Sequence, residues 1–150
     1  MNCYNWDTNE LKFIDKDKNN FNIKLRGNKQ IICGDSSTGK SLLVSRLLQF
    51  SHNKNKTFRT YTTDNIFIVM PENIRYIEEQ QDKLIVIDRA DLMLTPKIVD
   101  SINLDRGYNR YLIIGRVFKG LEISPNYYAH MIEKDKTFEL KYLYSVRGWF

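Results

Sequence analysis

The chain has 150 residues, with 23 Lys and Arg against 18 Asp and Glu for a formal net charge of +5, and is 42% hydrophobic and 13% aromatic. That length suits one ordinary domain with one core, and the composition excludes a disordered, fibrous or low-complexity chain. Two cysteines, Cys3 and Cys33, are too few for a disulfide framework or a cysteine metal cluster, and no segment nears the roughly 18 apolar residues of a membrane span.

The opening MNCYNWDTNE lacks the basic and apolar regions of a secretory leader, so the expected location is cytoplasmic, with no membrane partner. Residues 1–20 are rich in Asn, Lys and Asp and read as a loose or locally helical extension, with a single domain over 21–150. FNIKL and QIICG, joined by RGNK, read as a hairpin or two short strands. From Ser41 to Phe50, Leu42, Leu43, Leu47 and Leu48 recur at helical spacing, the pattern of a helix with its apolar stripe on a sheet. The segment from His52 to Thr63 is a polar loop carrying Lys54, Lys56 and Arg59 beside Phe58 and Tyr61. It reads as solvated, although the mixture also suits backbone contact and base stacking with nucleic acid.

NIFIV is a β-rich run ended by Pro71, and a helix is expected from about Glu72 to Gln81. KLIVID is continuously apolar and β-branched, as in a strand buried on both faces, and YLIIG repeats that pattern after a mostly helical stretch from Asp91 to Asn103. Strands alternating with helices predict an α/β fold with a mainly parallel sheet flanked by helices. AHMIE and TFELKYLY around a KDK turn predict a C-terminal β-hairpin addition, matching the N-terminal one. Trp149 and Phe150 are expected to fold back on the core.

Gly34, Asp35, Ser36, Ser37, Thr38, Gly39, Lys40 and Ser41 fit GxxxxGK[ST], between a predicted strand and a predicted helix. Glycines there let successive amides turn toward one anion, and the helix N-terminus adds its positive dipole end. Lys40 is placed to reach the β- and γ-phosphates, and the Ser41 hydroxyl to bind Mg²⁺. His52 and His130 lack metal-ligand neighbours, and no serine triad, Cys/His dyad or zinc spacing is present.

Through GDSSTGKS at 34–41 and LIVIDRAD at 84–91, the chain resembles the P-loop NTPase superfamily, as a small single-domain AAA-like member. The resemblance covers about Gln30 to Arg116 and implies a sheet of P-loop NTPase type, with Mg²⁺ and ATP or GTP as ligands. It makes Asp88, at the end of an apolar strand, the Walker B carboxylate that holds Mg²⁺ through water. The pattern departs at Arg89, where AAA+ and ABC-type ATPases usually carry the glutamate that polarises water. Asp91 is then either a replacement carboxylate or an N-cap. Arg116, where the AAA-like branch has its sensor strand, is a candidate γ-phosphate contact, and Arg106 and Arg110 are weaker candidates for a finger across a subunit interface.

The leading expectation is Mg²⁺-dependent hydrolysis of a nucleoside triphosphate, coupled to a protein partner or to self-assembly, with Lys40, Asp88 and Arg116 in catalysis. A nucleotide-gated module with little hydrolysis is the alternative, and a small-molecule kinase, which needs an arginine-bearing lid, ranks third. No guanine-reading NKxD motif follows a later strand, so ATP is favoured by elimination.

Overall fold

The computed structural model describes residues 3–34, 39–54, 62–63 and 65–144. Among them ten strands form one sheet: β1 (Tyr4–Asn5), β2 (Glu10–Ile14), β3 (Asn20–Lys24), β4 (Lys29–Cys33), β5 (Thr62–Thr63), β6 (Ile66–Ile68), β7 (Leu84–Ile87), β8 (Arg110–Ile114), β9 (Tyr128–Lys134) and β10 (Thr137–Tyr142). The order across the sheet is β1-β2-β3-β10-β9-β4-β8-β7-β6-β5. The helices are α1 (Lys40–Lys54), α2 (Ala90–Met93) and α3 (Pro96–Leu104), with a 3₁₀ turn at Ile74–Glu79.

The expected mainly parallel sheet of P-loop NTPase type, flanked by helices, is not what this sequence builds. The sheet is mixed and nearly barrel-shaped, and only 26% of the structure is helix. Strands β9, β4, β8, β7 and β6 do pair in parallel, but β1-β2, β2-β3, β9-β10 and β5-β6 are antiparallel. The physical reason lies first in the N-terminal segment. Leu11, Phe13, Phe21 and Ile23 alternate with Lys12, Ile14, Asn22 and Lys24, and burying that apolar face needs a partner surface. It finds one by joining β3 in parallel to β10 and curling the sheet over α1.

Residues 1–20 are therefore not loose where they are described, since β1, β2 and buried Tyr4 belong to the core. β3 and β4 are strands as expected, yet not a hairpin, because β10 and β9 lie between them. The expected helix from about Glu72 to Gln81 is instead a short 3₁₀ turn. The Asp91–Asn103 stretch is broken at Leu94 and Thr95, whose hydroxyl accepts from the Ile98 amide and caps α3 ahead of Pro96. The β9–β10 hairpin forms as expected.

Side chains on the central strands divide between two cores. Ile32, Ile66, Leu84, Val86, Leu112 and Ile114 face inward with Leu43 and Leu47 of α1 and the residues of β1–β3. Ile31, Phe67, Ile85, Ile87, Tyr111 and Ile113 face the other way, under the 3₁₀ turn, α2 and α3. Burial on both faces explains why these strands read as unbroken apolar runs. Across β2, β3 and β10 the rings of Phe13, Phe21 and Phe138 form a ladder, stacked at centroid distances of 4.7 and 4.8 Å. Among the described residues no helix is long and apolar enough to cross a membrane.

Candidate functional site

Because β4, β8 and β7 are adjacent and parallel, with Ile32 opposite Ile114 and Ile87 opposite Ile113, their carboxyl ends open on one edge. Chain continuity then delivers Gly34 from β4, Gly115 and Arg116 from β8, and Asp88 from β7 to that edge. In open α/β sheets such carboxyl-end crevices between parallel strands bind ligands, and this run of parallel strands has the same local arrangement.

The glycine motif sits at the β4 tip. Gly34 has φ +115° and Gly39 φ +89°, backbone angles that side-chain-bearing residues rarely adopt. Asp35, Ser36, Ser37 and Thr38, which complete the expected phosphate loop, lie outside the described residues. Gly39 also answers a close approach, since a Cβ there would stand 2.7 Å from Cε1 of Phe138. The helix α1 begins at Lys40, its first backbone bond runs from Leu43 N–H to Gly39 C=O, and its first turn carries no acidic residue. The amides ahead of Leu43 therefore have no helical acceptor, and nothing acidic in that turn opposes an anion at the helix start.

Lys40, Ser41, Asp88 and Arg116 line one cavity of about 350 Å³, together with Arg89 and Asp91. Four of the residues expected at the site, far apart in sequence, thus meet. Lys40 is only 5% exposed, yet its ammonium donates to the carbonyl of Gly34 and forms no carboxylate ion pair among the described residues. Lysine is seldom buried without a carboxylate partner, so a cation held at a cavity wall by a loop carbonyl is poised for an anion. The Ser41 side chain is exposed toward the same space.

Asp88 is half-buried and accepts the Arg89 amide on Oδ1 at 2.8 Å. Burial pushes its carboxyl above the ordinary range; the Arg89 amide and the charges of Arg89 and Lys40 oppose that rise, and the charge of Asp91 adds to it. Arg89 itself sits at φ 53°, ψ 55°, a left-handed conformation that reverses the chain at the β7 tip so that Asp88 and Asp91 share a cavity. The hard oxygen donors Ser41 and Asp88, which line the same cavity, suit Mg²⁺, which takes few protein ligands and completes its shell with water and phosphate oxygens. No cluster of three or more His, Cys, Asp or Glu able to hold a metal alone exists among the described residues.

Two candidates fall elsewhere. Arg110 opens β8 at its amino end, donating to Tyr4 Oη and the Trp6 carbonyl with its guanidinium 4.0 Å over the Trp6 ring, and Arg106 lines a separate cavity with Lys29 and Glu122. Arg89, marked in the sequence where a glutamate is usual, and Gly115, which precedes Arg116 at the expected sensor position, also line the cavity, and a Cβ on Gly115 would stand 3.0 Å from the Ala90 amide nitrogen. Sequence reasoning missed Phe138 beneath Gly39, for which there was no local signal. His52, Lys54 to Tyr61 and the terminal Trp149 and Phe150 fall where side chains are not described. No family model, curated protein or solved structure matches the chain.

Proposed function

We propose that this chain binds a nucleoside triphosphate with Mg²⁺, ATP in preference to GTP, and hydrolyses it in the cytoplasm, coupled to a protein partner or to self-association. The observation that carries the reading is the buried Lys40 facing a cavity it shares with Ser41, Asp88 and Arg116. In this mechanism the amides from Gly34 to Ser41 cradle the phosphates, and Lys40 exchanges the Gly34 carbonyl for a phosphate oxygen. Ser41 and Asp88 would hold Mg²⁺, which when bound would supply charge neutralisation at the phosphates. Arg116 contacts the γ-phosphate from the β8 tip, stabilising charge that shifts during transfer.

The test is calorimetric titration of wild type and Lys40→Ala with Mg·ATP and with adenosine, with circular dichroism to verify folding. Loss of a charge-assisted hydrogen bond is worth about 1.5–3 kcal/mol, so ATP affinity should fall about 10- to 150-fold while adenosine binding is unchanged. Equal losses for both ligands would refute the phosphate role. Arg89, where a water-polarising glutamate is usual, favours a second reading in which nucleotide binding gates an interaction with little turnover; tight binding without phosphate release would select it.

A further inference from the structure

We propose, resting on the triphosphate reading above, that Asp91 is the carboxylate that orients the attacking water and accepts its proton. Asp91 is three positions beyond Asp88, and the left-handed turn at Arg89 folds that spacing back on itself, so both carboxylates border the phosphate cavity. The bland alternative, a helix cap, does not describe it. The cap position of α2 belongs to Arg89, which makes no side-chain capping bond, and Asp91 lies inside the first turn. Its carboxylate is exposed and has no hydrogen bond or ion pair among the described residues.

Its position is specific in a second way. Asp91 also borders an adjoining cavity of about 530 Å³ walled by Leu94, Val99 and Val117, so it stands where the phosphate cavity meets a larger space with room for water. The first turn of α2 is seated firmly there, because the missing side chain of Gly115 lets the β8 tip press on the Ala90 amide. That contact fixes the backbone carrying Asp91, while its carboxylate, unpartnered among the described residues, is left available to a water in the cavity.

In the step, the water oxygen forms a bond to the γ-phosphorus while the bond from that phosphorus to the β,γ-bridging oxygen breaks. The bridging oxygen leaves with the electron pair as nucleoside diphosphate, the water proton passes to a carboxylate oxygen of Asp91, and inorganic phosphate departs. Asp88 keeps the Arg89 amide hydrogen bond and takes no part in the proton transfer.

The experiment compares wild type, Asp91→Asn and Lys40→Ala by phosphate release and by binding of Mg·ADP with and without aluminium fluoride, which mimics the transferring phosphoryl group with its in-line water. Asp91→Asn should slow turnover about 100-fold or more, the usual range for a lost general base, while leaving Mg·ADP affinity unchanged and weakening the aluminium fluoride complex at least about tenfold. Asp91→Glu should recover part of the loss. Wild-type turnover in Asp91→Asn, or a loss of Mg·ADP binding equal to the loss of rate, would overturn the assignment. If wild type binds ADP but neither releases phosphate nor traps aluminium fluoride, Asp91 has no water to direct and the inference falls while nucleotide binding stands. If wild type binds no nucleotide and Lys40→Ala changes nothing, the triphosphate reading itself fails first.

Discussion

The stacked rings of Phe13, Phe21 and Phe138 offer a controlled way to ask whether the sheet supports the glycine turn at Gly39. Phe13 and Phe138 are 6% and 7% exposed, and each stacks on Phe21, but only Phe138 lies under Gly39. Replacing either by Leu removes one aromatic stack, about 0.5–1.5 kcal/mol, and adds a shape mismatch of up to about 1.5 kcal/mol. Each variant should therefore lose about 2 kcal/mol, or about 4–8 °C in Tm for a chain of this size. The two should differ in ligand binding. Without the Phe138 ring Gly39 gains freedom that a ligand must remove, and ordering one backbone residue costs about 1–2 kcal/mol, so Phe138→Leu should weaken Mg·ATP binding about 5- to 30-fold. Phe13→Leu should not. Thermal unfolding by circular dichroism and calorimetric titration decide the matter; equal affinities in the two variants would refute the claim that Phe138 seats the loop.

Asp15 accepts hydrogen bonds from the Asp17 and Asn19 amides and from the Asn19 amide group, and its ion pair to Arg46 at 2.8 Å ties the β2–β3 turn to α1. Burial alone would raise its carboxyl, but those bonds hold it below the ordinary range. Its contribution is thus present above the unfolded value near about 3.9 and lost as pH falls through the lower folded value. Asp15→Asn should cost about 1–3 kcal/mol at pH 7 by urea denaturation, with the gap to wild type closing below about pH 4; a gap independent of pH would contradict the assignment. At the left-handed Arg89, Gly should leave Tm nearly unchanged, whereas the β-branched Arg89→Val should lose about 1–3 kcal/mol. Equal melting of the two variants would show that the turn is not under backbone constraint.

The meeting of Lys40, Ser41, Asp88 and Arg116 at one cavity was legible because its signals are local. Gly34, Gly39, Lys40 and Ser41 mark a tight strand-to-helix turn through residue type and spacing, and Asp88 marks the polar end of an apolar strand. Arg116 followed from the same logic one strand later. The architecture around them was less legible because it depends on pairings between distant segments. Leu11, Phe13, Phe21 and Ile23 alternate clearly, yet the polar residues between them mimic a solvated tail, and only the β3–β10 pairing shows which surface they cover. The 3₁₀ turn at Ile74–Glu79 was expected as an α-helix because over six residues the apolar spacing does not separate the two. The break between α2 and α3 was written in the Thr95-Pro96 pair, a cap and an N1 proline inside an apparently continuous pattern.

The seating of Gly39 by Phe138 has a consequence for biosynthesis. On β3 and β10, Asn22 and Glu139 share a hydrogen bond across 117 positions, and Phe138 belongs to the same late strand. During translation the glycine turn emerges long before the ring on which it rests, so the nascent loop has no floor. Local helix in α1 forms early, whereas the sheet that encloses it waits for a distant pairing, a slow kind of step. The glycine turn should therefore reach its final packing only after β10 has docked, so the last strand of the sheet sets when the cavity beside Lys40 is complete.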